Sequence, residues 1–317
     1  MRCSSCSFTT IVCQSTLSPN HFRQEVEYHV TGYRLLAIHA HPDDEASKGA
    51  AAMARYAHEG NRVKVLTCTG GERGDILNPG MDRPGVMERI TEVRQEEMAE
   101  AARVLGVEHE WLGYVDSGLP EGDPLPPLPE GCFALEDPQE VAKRVVAVIR
   151  EFKPHVIITY DENGGYPHPD HIMVHNVSMI AWEEAENPEY APEVGEPWTP
   201  QKLYYTHGFV PQRMRLLHDH LFGQGKESPY EPMLKRFEEN NSDIMQRVTT
   251  QVECGDYFPH RSAALRAHAT QIDPDGPFLV SPPEVQAELW PTEEFELAQT
   301  RVRTSLPETD LFTGVEK

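Results

Sequence analysis

Apolar and polar positions alternate along the chain with two periods, which predicts strands and helices in turn. Short apolar runs rich in β-branched residues fit buried strands, and longer runs with helical spacing fit amphipathic helices. Strands are predicted over 33–38, 62–69, 110–112, 155–160 and 202–207, and helices over 49–57, 86–105, 138–152, 168–186, 231–240 and 260–270. This alternation predicts an α/β fold, with a mostly parallel sheet and helices on both faces.

Two polar clusters follow predicted strands at their carboxyl ends, which is where open α/β sheets bind ligands. The strand over 33–38 leads directly into the run His39-Ala40-His41-Pro42-Asp43-Asp44-Glu45. The strand over 155–160 is followed by the run Tyr166-Pro167-His168-Pro169-Asp170-His171. Carboxylates and imidazoles packed behind apolar strands are unfavourable unless something pairs them, and a divalent metal ion can do so.

The residue types in these clusters fit a hydrolytic metal site. His41 and Asp44 can bind one ion from the turn after the strand, which leaves Asp43 beside it as an unligated carboxylate. The second cluster offers the missing histidine, and two histidines with one carboxylate and an open position are typical of hydrolytic zinc sites.

Other interpretations of the clusters stay open. Each loop can simply be a polar turn that caps a helix. Non-haem Fe(II) oxygenases use the same ligand types, although with His-x-Asp on an all-β fold, whereas this chain has His-x-x-Asp. A sugar-binding module would use the acids but would not explain an unligated carboxylate beside a metal.

Composition narrows the classes of partner. The net charge of −23 over 317 residues argues against nucleic acid, whose phosphates require a basic face. No apolar run approaches the ~20 residues that a membrane span requires, so no membrane partner is expected. The six cysteines form no regular disulfide framework, and a reduced cytoplasmic location fits them. No particular oligomeric state is predicted.

The chain divides into a short tail and one domain. Residues 1–30 lack helical or strand periodicity, and they also lack the continuous apolar core of a signal peptide. They are predicted to be a disordered extension or the result of a misassigned start site. Residues 31–317 carry the motifs and are expected to form one catalytic domain.

With both clusters in view, the chain resembles the LmbE-like/PIG-L deacetylase family, whose hallmark is a His-Pro-Asp-Asp-Glu loop paired with a later His-Pro-Asp-His. The resemblance runs from about residue 31 to the C-terminus and implies a Rossmann-like fold. Within the family, four features are similar to the branch that cleaves S-conjugates of a pseudodisaccharide thiol: Lys48, the run 70–75, the run 164–171 and the ending 292–308. The alternative branch removes acetate from N-acetylglucosaminyl-inositol.

The resemblance also implies a metal centre and a base. One Zn²⁺ ion per chain would be bound by His41, Asp44 and His171, with Fe²⁺ as the alternative metal in the cell. Asp43 would be the general base that removes a proton from water.

Further roles follow from the same resemblance. A cationic His168 would donate to the developing oxyanion, Tyr166 would assist near the scissile carbonyl, and Asp170 would orient His168. The substrate is expected to be a small pseudodisaccharide thiol conjugate, contacted by Lys48 on its cysteine arm and by three residues on its sugar: Glu72, Arg94 and Asp116.

Overall fold

The computed structural model of the protein describes residues 32–239 and 243–317. The extension predicted over 1–30 lies outside these residues. Among the helices in the described ranges, none has the length and apolar character needed to cross a membrane.

A seven-stranded sheet forms the centre of the fold. Its strands are β1 (Arg34–His39), β2 (Arg62–Thr69), β3 (Glu108–Tyr114), β4 (Val156–Thr159), β5 (Lys202–His207), β6 (Thr250–Glu253) and β7 (Thr292–Thr300). In space they follow the order β3-β2-β1-β4-β5-β7-β6. The first five pair in parallel, while β7 runs antiparallel to both β5 and β6. The mostly parallel sheet is therefore confirmed.

Helices cover both faces of this sheet. They are α1 (Asp44–Ser47), α2 (Ala50–His58), α3 (Ile90–Leu105), α4 (Pro138–Phe152), α5 (Pro169–Glu184), α6 (Pro211–Gly223), α7 (Glu231–Glu239), α8 (Phe258–Ala267) and α9 (Pro283–Leu289). Asp137 caps α4 through its side chain, which accepts from the backbone N–H of Gln139, and Pro138 follows at the first position.

The first strand shows how the two cores form. Leu36 and Ile38 of β1 pack into the core that α4 and α5 cover. Leu35 and Ala37 point to the opposite side and pack into the core under α2 and α3. Because successive side chains of a strand alternate between faces, a strand buried on both faces is apolar throughout. The loop after β1 is therefore fixed on a rigid base.

Most predicted elements of the first two thirds are found within one or two residues. The bounds of β2, β5 and α4 match the prediction, and β3 is longer than predicted by two residues at each end. The helix predicted over 86–105 is divided into a 3₁₀ turn at Met87–Arg89 and α3. Gly106, with a φ of 74°, ends α3 in the left-handed conformation that favours glycine.

The last third contains elements that the sequence pattern did not predict: α6, α9, β6 and β7. Within α6 the charged side chains of Arg215 and Asp219 are exposed, whereas Met214, Leu217 and Leu221 are buried. These three positions have helical spacing, which the surrounding charged residues obscured.

Candidate metal centre and active site

The two polar clusters lie at the carboxyl ends of β1 and β4, which are neighbours at the centre of the sheet. The chain leaves β1 toward β2 on one side and returns through β4 on the other. This reversal of strand order opens a crevice at the ends of the two strands, the usual ligand site of such sheets. The fold thus brings the two sequence clusters to one place.

Three donor atoms from these clusters form a nearly equilateral triangle. The His41 Nδ1 atom lies 3.5 Å from Asp44 Oδ2 and 3.3 Å from His171 Nε2. The third edge, from His171 Nε2 to Asp44 Oδ2, is 3.4 Å. A tetrahedral Zn²⁺ ion with bonds of about 2.0–2.1 Å separates its ligand atoms by about 3.3 Å. The triangle therefore has the dimensions of three zinc ligands with a fourth position open.

His41 presents its two ring nitrogens to different surroundings. Nδ1 faces the triangle, whereas Nε2 lies 3.2 Å from Asp170 Oδ2 and 3.4 Å from Asp116 Oδ1. A proton on Nε2 satisfies the two carboxylates and leaves the Nδ1 lone pair directed at the triangle. Metal-binding histidines are commonly held by a carboxylate in this way.

His168, Asp116 and Asp170 also bring donor atoms within 4.8 Å of His41. The Asp116 carboxylate, however, already accepts from the backbone N–H groups of Arg73 and Gly118, at 2.9 and 2.8 Å. The Asp170 carboxylate likewise accepts from the backbone N–H and the hydroxyl of Ser117. The set with Asp44 has three donor atoms spaced like zinc ligands and is the better candidate for holding a metal ion.

His171 is oriented by a backbone group outside the triangle. His171 Nδ1 donates to the carbonyl oxygen of Gly164 over 2.8 Å, so its Nε2 lone pair faces the triangle. Gly164 has a φ of 71°, and a Cβ atom there would lie 2.7 Å from the Cβ of His171. Only glycine permits this approach.

Tyr160 connects β4 to the candidate metal ligands and was not singled out from the sequence. Its hydroxyl donates to Asp44 Oδ2 over 2.6 Å and accepts from the backbone N–H of Ala40 over 2.9 Å. Its ring stacks on His171 with the centroids 4.3 Å apart. The sequence signal that could have pointed to Tyr160 was its position at the end of the strand predicted over 155–160.

Asp43 has an unusual backbone conformation, with a φ of 111°. Its backbone N–H donates to Glu45 Oε2 over 3.0 Å, and Glu45 Oε1 in turn lies 2.6 Å from His268 Nε2. Its own carboxylate accepts no hydrogen bond from any residue in the described ranges. Burial and the neighbouring Asp44 carboxylate raise the pKa of Asp43 to about 6. Asp43 is therefore a free carboxylate with the properties of a base near neutral pH.

His168 caps α5, and its Nδ1 atom accepts from the backbone N–H of Asp170 over 3.2 Å. The proton of the neutral ring is therefore on Nε2. Burial and the adjacent rings of His41 and His171 lower the pKa of His168 to about 4. The expectation of a cationic His168 is not supported, because the site favours a neutral ring that donates through Nε2–H.

The Asp170 side chain contacts His41 and Ser117 instead of the His168 ring. Its Oδ2 atom accepts from the backbone N–H of Ser117 over 2.9 Å, and the Ser117 hydroxyl donates to its Oδ1 atom. The expectation that Asp170 orients His168 is therefore corrected: its carboxylate orients His41. The contact between Asp170 and His168 is instead made by the backbone N–H of Asp170, which donates to His168 Nδ1.

The three residues expected to bind sugar lie together beside the metal triangle. Arg94 is buried, with an exposed fraction of 1%, and donates to the carbonyl oxygens of Gly74 and Asp75 over 3.0 Å each. Glu72 Oε1 accepts from the backbone N–H of Asp116 over 3.0 Å, while its Oε2 atom has no partner among the described residues. These residues hold the loop over 70–75 against the site.

Lys48 and Tyr166 lie on the opposite side of the triangle. The Lys48 ammonium donates to Asp44 Oδ1 and, over 3.1 Å, to the Ser47 hydroxyl. Lys48 therefore projects from the same face of the turn as Asp44. The Tyr166 ring lies 4.6 Å from the His171 ring, and burial raises the pKa of its hydroxyl. Both residues line a cleft of about 510 Å³.

Comparisons with known proteins agree with this geometry. A family model described as PIG-L: GlcNAc-PI de-N-acetylase matches residues 36–182. A mycothiol S-conjugate amidase of Streptomyces coelicolor is 58% identical over 89% of this chain and 97% of that protein. A 1D-myo-inositol 2-acetamido-2-deoxy-alpha-D-glucopyranoside deacetylase of Streptomyces avermitilis is 38% identical over the same shares. The solved structure of N,N'-diacetylchitobiose deacetylase from Pyrococcus horikoshii has a TM-score of 0.57 at 17% identity, over 84% of both chains, which shows a shared fold.

Proposed function

The chain belongs to the PIG-L family of de-N-acetylases and is a hydrolase of amide bonds, and we propose that its substrate is a mycothiol S-conjugate. Water adds to the cysteinyl carbonyl, the C–N bond to the glucosamine breaks, and the amine takes up a proton. The products are glucosaminyl-inositol and an S-substituted N-acetylcysteine, a mercapturic acid, so the reaction serves detoxification. The donor triangle beside a free Asp43 carries the proposal of hydrolysis, and the 58% identity to the amidase supports the substrate.

His41, Asp44 and His171 would hold the metal ion, which we propose to be Zn²⁺. Bound there, such an ion lowers the pKa of water and polarises the carbonyl of the substrate. Other residues of the chain would hold the three metal-binding side chains in the required orientation. Asp170 fixes the His41 ring, Gly164 fixes His171, and Tyr160 fixes Asp44.

Asp43 acts as the general base in this proposal. A carboxylate with a pKa of about 6 is ionised at neutral pH and still accepts a proton readily. Asp43 immediately precedes the proposed ligand Asp44, so it would lie beside the attacking water without binding the metal itself. When the C–N bond breaks, the same carboxylic acid returns its proton to the departing amine.

His168 and Tyr166 stabilise the carbonyl oxygen as it gains negative charge. The Nε2–H group of a neutral His168 is a hydrogen-bond donor, and the Tyr166 hydroxyl keeps its proton because burial raises its pKa. Removing one such donor from an oxyanion site typically costs roughly 10²–10³-fold in kcat.

The sugar side of the site is proposed to lie at Glu72, Arg94 and Asp116. The unpartnered Oε2 atom of Glu72 supports direct contact with a sugar hydroxyl. Arg94 and Asp116 make several contacts to loop backbone, so they also shape the loops over 70–75 and 116–118 around the ligand.

The acyl side of the substrate is proposed to lie toward Lys48.

The alternative function is the deacetylation of N-acetylglucosaminyl-inositol, which the 38% identical relative supports. Product analysis with both substrates at matched concentration separates the two. A mercapturic acid formed at least tenfold faster than acetate supports the amidase, and the reverse ratio supports the deacetylase.

The buried free thiols of Cys68, Cys132 and Cys254 support a location in a reducing compartment, for which we propose the cytoplasm.

A further inference from the structure

We propose that the cleft beside Lys48 and Tyr166 is a subsite for the sulfur substituent of the conjugate, and that it selects apolar and aromatic substituents. This inference rests on the proposed amidase function and assigns the part of the substrate that the metal centre does not contact. The cleft lies between the loop after β4, the end of β5 and α7.

Apart from the exposed Arg236, the side of the cleft that includes α7 is mainly apolar. It contributes four half-buried side chains: Phe209, Met233, Phe237 and Ile244. Aromatic rings and a flexible methionine suit apolar groups of varied shape, since methionine adapts to irregular surfaces. A subsite of this composition favours apolar substituents, because the transfer of apolar surface from water to an apolar environment is favourable.

Two of the polar side chains that line the cleft are engaged within the protein, and one buried hydroxyl is not. Asp161 accepts from Arg247 over 2.9 Å, and His207 Nε2 lies 3.1 Å from Glu296. Thr206 also lines the cleft, and its Oγ1 atom is buried without a partner among the described residues. An unpartnered buried hydroxyl is unfavourable, and the acetamido group of an N-acetylcysteinyl arm can satisfy it.

The cleft is continuous with the metal centre through two residues. Lys48 contacts the candidate ligand Asp44, and the Tyr166 ring packs against His171. An acyl arm whose carbonyl lies at the triangle therefore extends into the cleft past these side chains. The cleft volume of about 510 Å³ is within the range of roughly 300–1,000 Å³ typical of sites for drug-sized ligands. An acetyl group alone would leave nearly all of it unused.

The test compares S-methyl and S-benzyl conjugates of mycothiol. Wild-type enzyme should prefer the S-benzyl conjugate in kcat/KM by roughly 10- to 100-fold, the scale expected when a phenyl ring is buried. In Phe237→Ala this ratio should fall about tenfold. Phe222→Ala is the matched control, because Phe222 lies on α6 with an exposed fraction of 74% and is absent from the cleft lining. It should keep the wild-type ratio.

A second measurement does not depend on turnover. Inhibition by the products, N-acetyl-S-benzylcysteine against N-acetyl-S-methylcysteine, should show the same preference in the wild type and lose it in Phe237→Ala and Met233→Ala. Equal kcat/KM for both conjugates in the wild type, or an unchanged ratio in both variants, would overturn the subsite while leaving the amidase function standing. If neither conjugate is cleaved but N-acetylglucosaminyl-inositol is, the proposed function itself fails and the subsite fails with it.

Discussion

The Nε2 atom of His268 lies 2.6 Å from the Oε1 atom of Glu45, and both side chains are fully buried. The other oxygen of Glu45 accepts from the backbone N–H of Asp43 over 3.0 Å. Burial lowers the pKa of His268, but the adjacent Glu45 carboxylate outweighs it and raises that pKa above its ordinary value, which favours an ionic pair. His268 therefore positions the loop that carries the proposed base, from a part of the chain far from that loop in sequence.

Replacing His268 should lower the rate without removing the metal. We expect His268→Gln to reduce kcat about 10- to 100-fold while zinc content stays at the wild-type level, because it disturbs only the support of Asp43. His220→Gln, at a partly exposed position of α6, is the control. In an Asp43→Asn background the His268 substitution should have almost no further effect on kcat. Additive losses in the double variant would contradict a role through Asp43.

The proposed ligands and the proposed base should separate by metal content. His171→Ala removes one corner of the triangle, so zinc and activity should both be lost. Asp43→Asn should retain zinc and lose at least 10²-fold in kcat, because only proton transfer is removed. Asparagine is the suitable replacement, since it tolerates the positive φ of 111° better than alanine does. Metal analysis beside single-turnover rates checks both; a zinc-free Asp43→Asn variant would make Asp43 a ligand.

Tyr160→Phe should weaken metal binding while keeping the fold. The variant loses the hydrogen bond to Asp44 Oδ2 but keeps the ring stacked on His171. Loss of such a supporting group typically lowers metal affinity roughly 10- to 100-fold. Competition with a chelator measures the change. Tyr205→Phe serves as the control, because the Tyr205 hydroxyl donates to the Met179 sulfur. Wild-type zinc affinity in Tyr160→Phe would show that Asp44 needs no such support.

Arg247 should stabilise the protein only while its acidic partners are ionised. It contacts Asp161, Glu162 and Glu296 at 2.8–3.0 Å. It lowers the pKa of Glu162, and together with His207 it outweighs burial to lower that of Glu296, from ordinary values of 4.5. A carboxylate with a lowered pKa in the folded state contributes stability above its unfolded pKa and loses it as the pH falls through the folded value.

Arg247→Met should therefore reduce stability by about 1–3 kcal/mol at pH 7, chiefly because it leaves the buried Asp161 carboxylate without its charged partner. The difference from the wild type should narrow steadily below about pH 4.5. Thermal unfolding of both proteins across pH 3–8 measures it. A difference that is independent of pH would mean that the arginine acts by packing alone.

The parallel part of the sheet could be predicted because its signals are local. The strand over 62–69 and the helix over 138–152 have clear periodicity and end at recognisable turn or cap residues. The clusters of His41 and His171 were expected to meet for a geometric reason, since the carboxyl ends of parallel strands share one edge of the sheet.

The supporting contacts could not be predicted, because they depend on tertiary packing. His268 is separated from Glu45 by 223 positions, and nothing in either neighbourhood indicates the other. The resemblance to the family implied that Asp170 would orient His168. The start of α5 instead turns the Asp170 side chain toward His41, while its backbone serves the His168 ring. The antiparallel β7 was missed because its half-buried pattern is weaker than that of a central strand.

The position of β7 has a consequence for synthesis on the ribosome. It is the last strand in the chain, yet it lies between β5 and β6, and β6 has no other strand partner in the described sheet. The nascent chain can therefore assemble β1 to β5, with the proposed metal ligands, well before release. The outer edge of β5 stays open until residues 292–300 emerge. Chains that terminate before Thr292 should expose that edge and aggregate, although every proposed metal ligand is already present.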